Sequence, residues 1–135
     1  MNKPRLLKLA ALLEADARRK RGIRFDMDRW GTIEDPEKPL SCGTTACAMG
    51  LAALSGKFKR AGLGYVIEHG AGLLITMRGS RDGGGVEAAM ELFDLTNEEA
   101  LDLFIMPGGK GARGERRLAK IIRRFVKTGV VYWRY

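Results

Sequence analysis

Two cysteines and one histidine are the residues of this chain best equipped for covalent or metal chemistry. Cys42-Gly43-Thr44-Thr45-Ala46-Cys47 reads as the opening of a helix, with Ser41 or Thr44 as its cap and Cys47, Leu51 and Leu54 on one apolar stripe. In that setting Cys42 stands just before a helix N-terminus, where the dipole and free N–H groups favour an anion and lower a thiol pKa. That is what a thiolate nucleophile needs. A metal is another matter, because structural zinc takes four N or S ligands, commonly as two spaced pairs. Two cysteines and a single histidine supply no second pair, so no metal or other cofactor is expected.

A second kind of chemistry lies in the charge. Residues 1–30 hold nine Lys/Arg against four Asp/Glu, residues 107–135 nine against one, and residues 31–106 six against eleven. The ends are basic and the middle acidic. Arg18, Arg19, Lys20 and Arg21 cluster at the close of the first helix. Arg116, Arg117, Lys120, Arg123, Arg124 and Lys127 occupy the polar side of the last one, opposite Leu118, Ile121, Ile122, Phe125 and Val126, and Arg113 lies in the glycine-rich loop just before it. These eleven cations are the candidate contacts to nucleic acid or a nucleoprotein complex, which ask only for positive charge with reach. The glycine-rich Pro107–Gly114 stretch before that helix is not a Walker A loop, since no G-x-x-x-x-G-K-[ST] can be written through it.

The elements that must position these residues follow from periodicity. Pro4 suits a first helical turn, and Leu6, Leu9, Leu13 and Ala17, with Leu7 and Ala10 alongside, predict a helix to about Arg21, ended by Gly22. Phe25, Met27 and Trp30 anchor an irregular segment. Gly50 falls mid-helix, where it costs about 1 kcal/mol relative to Ala unless another backbone comes close. Runs at 64–67 and 73–77 flank a glycine-bearing loop and predict a β-hairpin, and the 78–85 stretch reads as a flexible surface loop. Val86 to Phe93 and the capping box Thr96-Asn97-Glu98-Glu99 predict two short helices. They could pass for a DNA-reading helix pair, but Glu98, Glu99 and Asp102 would meet phosphates with the wrong sign. Val130-Val131-Tyr132-Trp133-Arg134-Tyr135 predicts a terminal strand.

The expectation is therefore one α+β domain over residues 1–135, with about five helices and a small antiparallel sheet. No apolar run approaches the roughly 18–20 residues of a membrane span, and no secretory h-region is present, so a cytoplasmic protein with reduced thiols is expected.

Two resemblances add to this. The segment from Cys42 to Ala52 resembles the surroundings of the nucleophile in papain-fold cysteine peptidases of the C39-like type. That likeness implies Cys42 as nucleophile, His69 as general base and Asp82 as an orienting acid. Phe25-Asp26-Met27-Asp28-Arg29-Trp30-Gly31, the same cysteine segment, and Ala88 to Phe104 together resemble a group of small proteins from bacteria and their phages. A phage or prokaryotic setting is implied, without a mechanism. The sequence favours the cysteine segment as a hub of the core and puts function on the basic C-terminal helix. The expected function is noncatalytic binding of nucleic acid or a nucleoprotein complex, as in a phage-encoded modulator such as an anti-CRISPR. A Cys42/His69 hydrolase and an assembly protein that pairs through its terminal strand are the alternatives, and the oligomeric state stays open.

Overall fold

Asn2 accepts a hydrogen bond from the Arg5 N–H at 3.1 Å and so caps α1, Lys3–Arg18, with Pro4 in its first turn. The computed structural model describes residues 1–19, 23–27, 30–33, 37, 44–68, 72–80 and 84–133. Leu6, Leu9, Ala10, Leu13 and Ala17 are buried, whereas Leu7, one position off the stripe, is exposed. The helix stops about three residues before the expected end. The Arg19 N–H turns back to the Asp16 carbonyl at 3.1 Å and Arg19 is already extended, so Gly22 is not what ends it.

The stretch expected to be irregular contains strands. β1 (Arg24–Phe25) runs parallel to β3 (Thr45–Ala46), and β2 (Gly31–Thr32) pairs with β3 on its other side, antiparallel. Two-residue strands carry too little alternation to be read from a sequence. Their pairing holds Thr45 and Ala46 extended, so α2 (Ala48–Ser55) opens later than expected and its cap is Cys47, not Ser41 or Thr44.

Every residue of α2 from Ala48 to Leu54 is buried. A helix apolar on all sides belongs in the middle of a domain, and Trp30 fixes it there. A Cβ on Gly50 would lie 2.0 Å from the Trp30 carbonyl oxygen, which is the close backbone approach that the mid-helix glycine implied. A Cβ on Gly85 would lie 2.3 Å from the Trp30 ring. One tryptophan thus seats between two helices on two glycines.

The expected hairpin is β4 (Leu63–Ile67) and β5 (Leu73–Met77), in register with Tyr65 opposite Ile75. After it come α3 (Gly84–Phe93), α4 (Asn97–Phe104) and α5 (Gly111–Thr128). Gly84 and Gly85, expected in the loop, are the first turn of α3. Both halves of the Thr96/Glu99 capping box are made, at 3.1 and 2.9 Å. Phe93 stacks on Phe104 with centroids 5.7 Å apart and meets Phe58 edge-on, joining α3 and α4 to the single apolar core. The result is an α+β fold with, among the described residues, five α-helices around two small sheets.

The terminal strand does not form over residues 130–133. Side chains hold that segment instead: the Trp133 indole N–H donates to the Asp102 carbonyl at 2.8 Å, and Arg117 donates to the Trp133 carbonyl. Arg134 and Tyr135 lie outside the described residues.

Candidate nucleic-acid interface

Cys42, His69 and Asp82, the residues that would make a hydrolase, all lie outside the described residues. The helix whose N-terminus was expected at Cys42 starts at Ala48, with Cys47 as its cap. Cys47 is buried, accepts from the Gly50 N–H at 3.4 Å and donates to the Trp30 carbonyl at 3.8 Å. Burial, only partly offset by these backbone N–H groups, pushes its thiol up to about 11. It is a packing residue. Among the described residues, no group of three His, Cys, Asp or Glu side chains could hold a metal ion.

The basic side of α5 is a different kind of place. At about 100° per residue, its seven cations fall within an arc of about 120°. Two edges of that arc are tied down. Toward α1, Arg123 grips Glu14 with two bonds, 2.6 and 3.2 Å, and Arg116 donates to the Ala17 carbonyl at 3.3 Å. Toward the C-terminal segment, Arg117 donates to the carbonyls of Pro107, at 2.9 Å, and Trp133. On that same edge the Arg124 guanidinium lies over the Tyr132 ring, 4.3 Å from its centroid. Between the edges stand Arg113, Lys120 and Lys127, exposed and without a bonded partner among the described residues. They recur every seven residues, a crest of about 21 Å along the helix axis.

The edge contacts also bring the two basic ends together. Ala17 meets Arg116 while Glu14 meets Arg123, so α1 and α5 run antiparallel. Arg18 lies one turn beyond Glu14 and its charge, after the Arg123 hydrogen bond and charge, helps hold the Glu14 carboxyl below its ordinary range. Arg18 therefore lies beside the Arg123 edge of the α5 arc. Arg19 contacts Asp16 at 3.5 Å, and Lys20 and Arg21 lie outside the described residues.

The glycine-rich approach to α5 is structural. Gly111 to Gly114 are already helical, and the Met27 N–H donates to the Gly109 carbonyl at 3.0 Å. A Cβ on Gly114 would sit 3.0 Å from the Gly109 carbonyl carbon and 3.3 Å from Phe25, so any larger residue would have to push the loop or β1 back by a few tenths of an ångström.

Beneath the cations lies a pair that sequence reasoning missed. Asp16 on α1 and Glu115 on α5 are 4% and 1% exposed, and each keeps one carboxyl oxygen without a partner. Burial, then the hydrogen bond to Asp16 and that residue's charge, push the Glu115 carboxyl up to about 9, against the pull of Arg116. Two buried carboxyls side by side resist carrying two charges, which favours the protonated form of Glu115. The only available signal was Glu115 itself, the single acid among residues 107–135.

Elsewhere the sign reverses. A groove of about 530 Å³ between β5 and α3 is lined by Glu87 and Glu91 with Met77, Ser80, Met90 and Leu95. Arg78 pairs with Glu91 at its rim, 3.0 Å away. No described helix is long and apolar enough to cross a membrane. No protein family, no curated protein and no solved structure matches the chain, so the motif resemblances stand on their residues alone.

Proposed function

We propose that the protein binds nucleic acid without catalysis, through the face made by α5 and the end of α1. The observation that carries this is the confinement of seven cations to one arc of α5, with Arg113, Lys120 and Lys127 standing free of internal partners among the described residues. Burial of the opposite side of α5 is enough to put polar residues on this arc, but it does not require every exposed charge there to be a cation, as all seven are. Phosphates bound along such a crest release counterions, so affinity falls as a power of salt concentration. Among the described residues no surface feature selects a CRISPR complex over other nucleic-acid-bearing partners, and the phage-modulator reading rests on the resemblance alone.

The test is fluorescence anisotropy of labelled oligonucleotides at stepped salt. Neutralisation of about four phosphates gives a log–log slope of about −3. Reversal of Arg113, Lys120 and Lys127 to Glu removes most of that slope while leaving the thermal melt unchanged, since none of the three makes an internal bond among the described residues. Binding that is absent at low salt, or insensitive to the triple reversal, refutes the proposal. A pull-down from lysate with and without nuclease extends the test: partners that survive nuclease treatment indicate a protein target.

A further inference from the structure

The same face carries two aromatic rings that packing does not explain. Tyr132 is 43% exposed and Trp133 38%, although apolar rings of this size are ordinarily buried. Neither is loose. Tyr132 lies against the Arg124 guanidinium, and Trp133 is fixed at both its indole N–H, by Asp102, and its backbone carbonyl, by Arg117. Two of the residues that hold these rings, Arg117 and Arg124, belong to the cation arc itself. Preorganised, partly exposed rings beside a row of positive charge are the two parts of a surface for unpaired bases: cations track the backbone and rings stack on base faces.

We infer that the ligand of this face is single-stranded nucleic acid, with bases stacked on Tyr132 and Trp133 while the phosphates follow Arg113, Lys120 and Lys127. The inference rests on the nucleic-acid function proposed above and narrows it. A duplex fits poorly for two reasons. Its bases already stack on one another and offer no free face to a surface ring. A helix of 10–12 Å diameter also fills a major groove about 12 Å wide, so it enters only with both flanks clear. The flanks of α5 are occupied, by α1 through Arg123 and Glu14 and by the C-terminal segment through Arg117 and Trp133. The exposed arc also carries Arg and Lys but no Asn or Gln to read adenine edges, which suits a sequence-tolerant strand.

The experiment compares a labelled oligothymidylate of about 16 nucleotides with a blunt duplex of equal length. The single strand is expected to bind at least tenfold more tightly. Tyr132→Ala and Trp133→Ala should each weaken it by about 5- to 150-fold, the range for one lost stack, and leave the salt slope and the duplex affinity unchanged. Because truncation of Trp133 also releases the segment, Tyr132→Phe and Trp133→Phe serve as the second set. Both keep a ring and should hold affinity within a few-fold. Trp133 fluorescence should be quenched by the single strand, a signal lost in Trp133→Phe, where Trp30 is the remaining tryptophan. Equal binding of both ligands with no effect of the alanine variants overturns the inference and leaves the basic face standing. Competition by polyglutamate as strong as by the single strand also overturns it, since that polymer has charge and no bases. If neither nucleic acid binds, the underlying function falls with it.

Discussion

Helices α2 and α5 each contain residues that promise chemistry, and the core treats them in opposite ways. α2 is apolar around its whole circumference, so its capping thiol is buried and driven up to about 11, out of reach of solvent and of reactivity near neutral pH. α5 is divided lengthwise. Ile121, Ile122 and Phe125 face the core, while seven cations line the other side. The difference teaches that a residue's chemistry is set by which side of its helix the core claims. Glu115 shows both outcomes within one helix: an acid in the basic run, turned inward and held neutral.

The largest expected effect breaks the α2 side of the comparison. Gly50→Ala would put a methyl 2.0 Å from the Trp30 carbonyl oxygen and 2.9 Å from the Ala46 Cβ. Backbone must move, and the cost should be at least about 3 kcal/mol, read as a lower urea midpoint. Gly56→Ala is the control. Gly56 is left-handed at φ +71° with nothing within 4 Å, so about 1 kcal/mol is expected from backbone conformation alone.

Next comes the buried acid of α5. The folded pKa of Glu115, about 9, lies above its ordinary 4.5. Between those values the unfolded chain gives up a proton that the folded one keeps, so stability falls as pH rises, by about 1.4 kcal/mol per unit. The contribution is complete below pH 4.5 and is lost as pH rises toward about 9. Glu115→Gln, whose amide still donates to Asp16, should flatten this slope and melt higher than the parent at pH 8. Parallel pH profiles for the two proteins would show that Glu115 titrates normally.

How much of this could be read from the sequence depended on how long each signal was. α5 carries five turns of consistent pattern, and Gly129 ends it in the left-handed conformation as expected. The Gly50 contact, the β4–β5 hairpin and the Thr96/Glu99 box were equally plain, because each rests on a local rule with one physical cause. The three two-residue strands left no pattern, and so the start of α2 was placed too early, and with it the reason to suspect Cys42. Val130 to Trp133 has strand propensity, but Arg117 and Asp102 outcompete a sheet for it. Propensity carries no information about distant side chains. The cations were legible one by one; that Arg123 and Arg116 bind α1 while Lys120 and Lys127 do not needed the packing of α1 on α5. The Asp16–Glu115 pair was invisible for the same reason, being separated by most of the chain.

That division of labour among cations gives a finer test. Lys120→Gln and Lys127→Gln should each reduce the salt slope by about 0.7 to 0.9 and the affinity several-fold, with no change in stability. Arg116→Gln should do less to binding and more to the melt, since its guanidinium holds the Ala17 carbonyl. Equal effects on binding from all three would erase the distinction between crest and edge.

The smallest effect concerns the α1–α5 seam. Arg123 and Glu14 make a two-bond pair at 2.6 and 3.2 Å, but their side chains are 44% and 33% exposed. Water screens such a pair, and a double-mutant cycle with Arg123→Ala and Glu14→Ala should return about 0.5 kcal/mol. The sign with pH is opposite to that of Glu115. The Arg123 bond lowers the Glu14 pKa, so its contribution is present above the unfolded value and is lost as pH falls through the folded one. A coupling above about 2 kcal/mol, beyond the range of exposed pairs, would mean that charge holds this seam. A small one leaves cohesion to Leu6, Leu9 and Leu13 against Ile121, Ile122 and Phe125, and leaves the outer face of α5 free to be spent on a ligand.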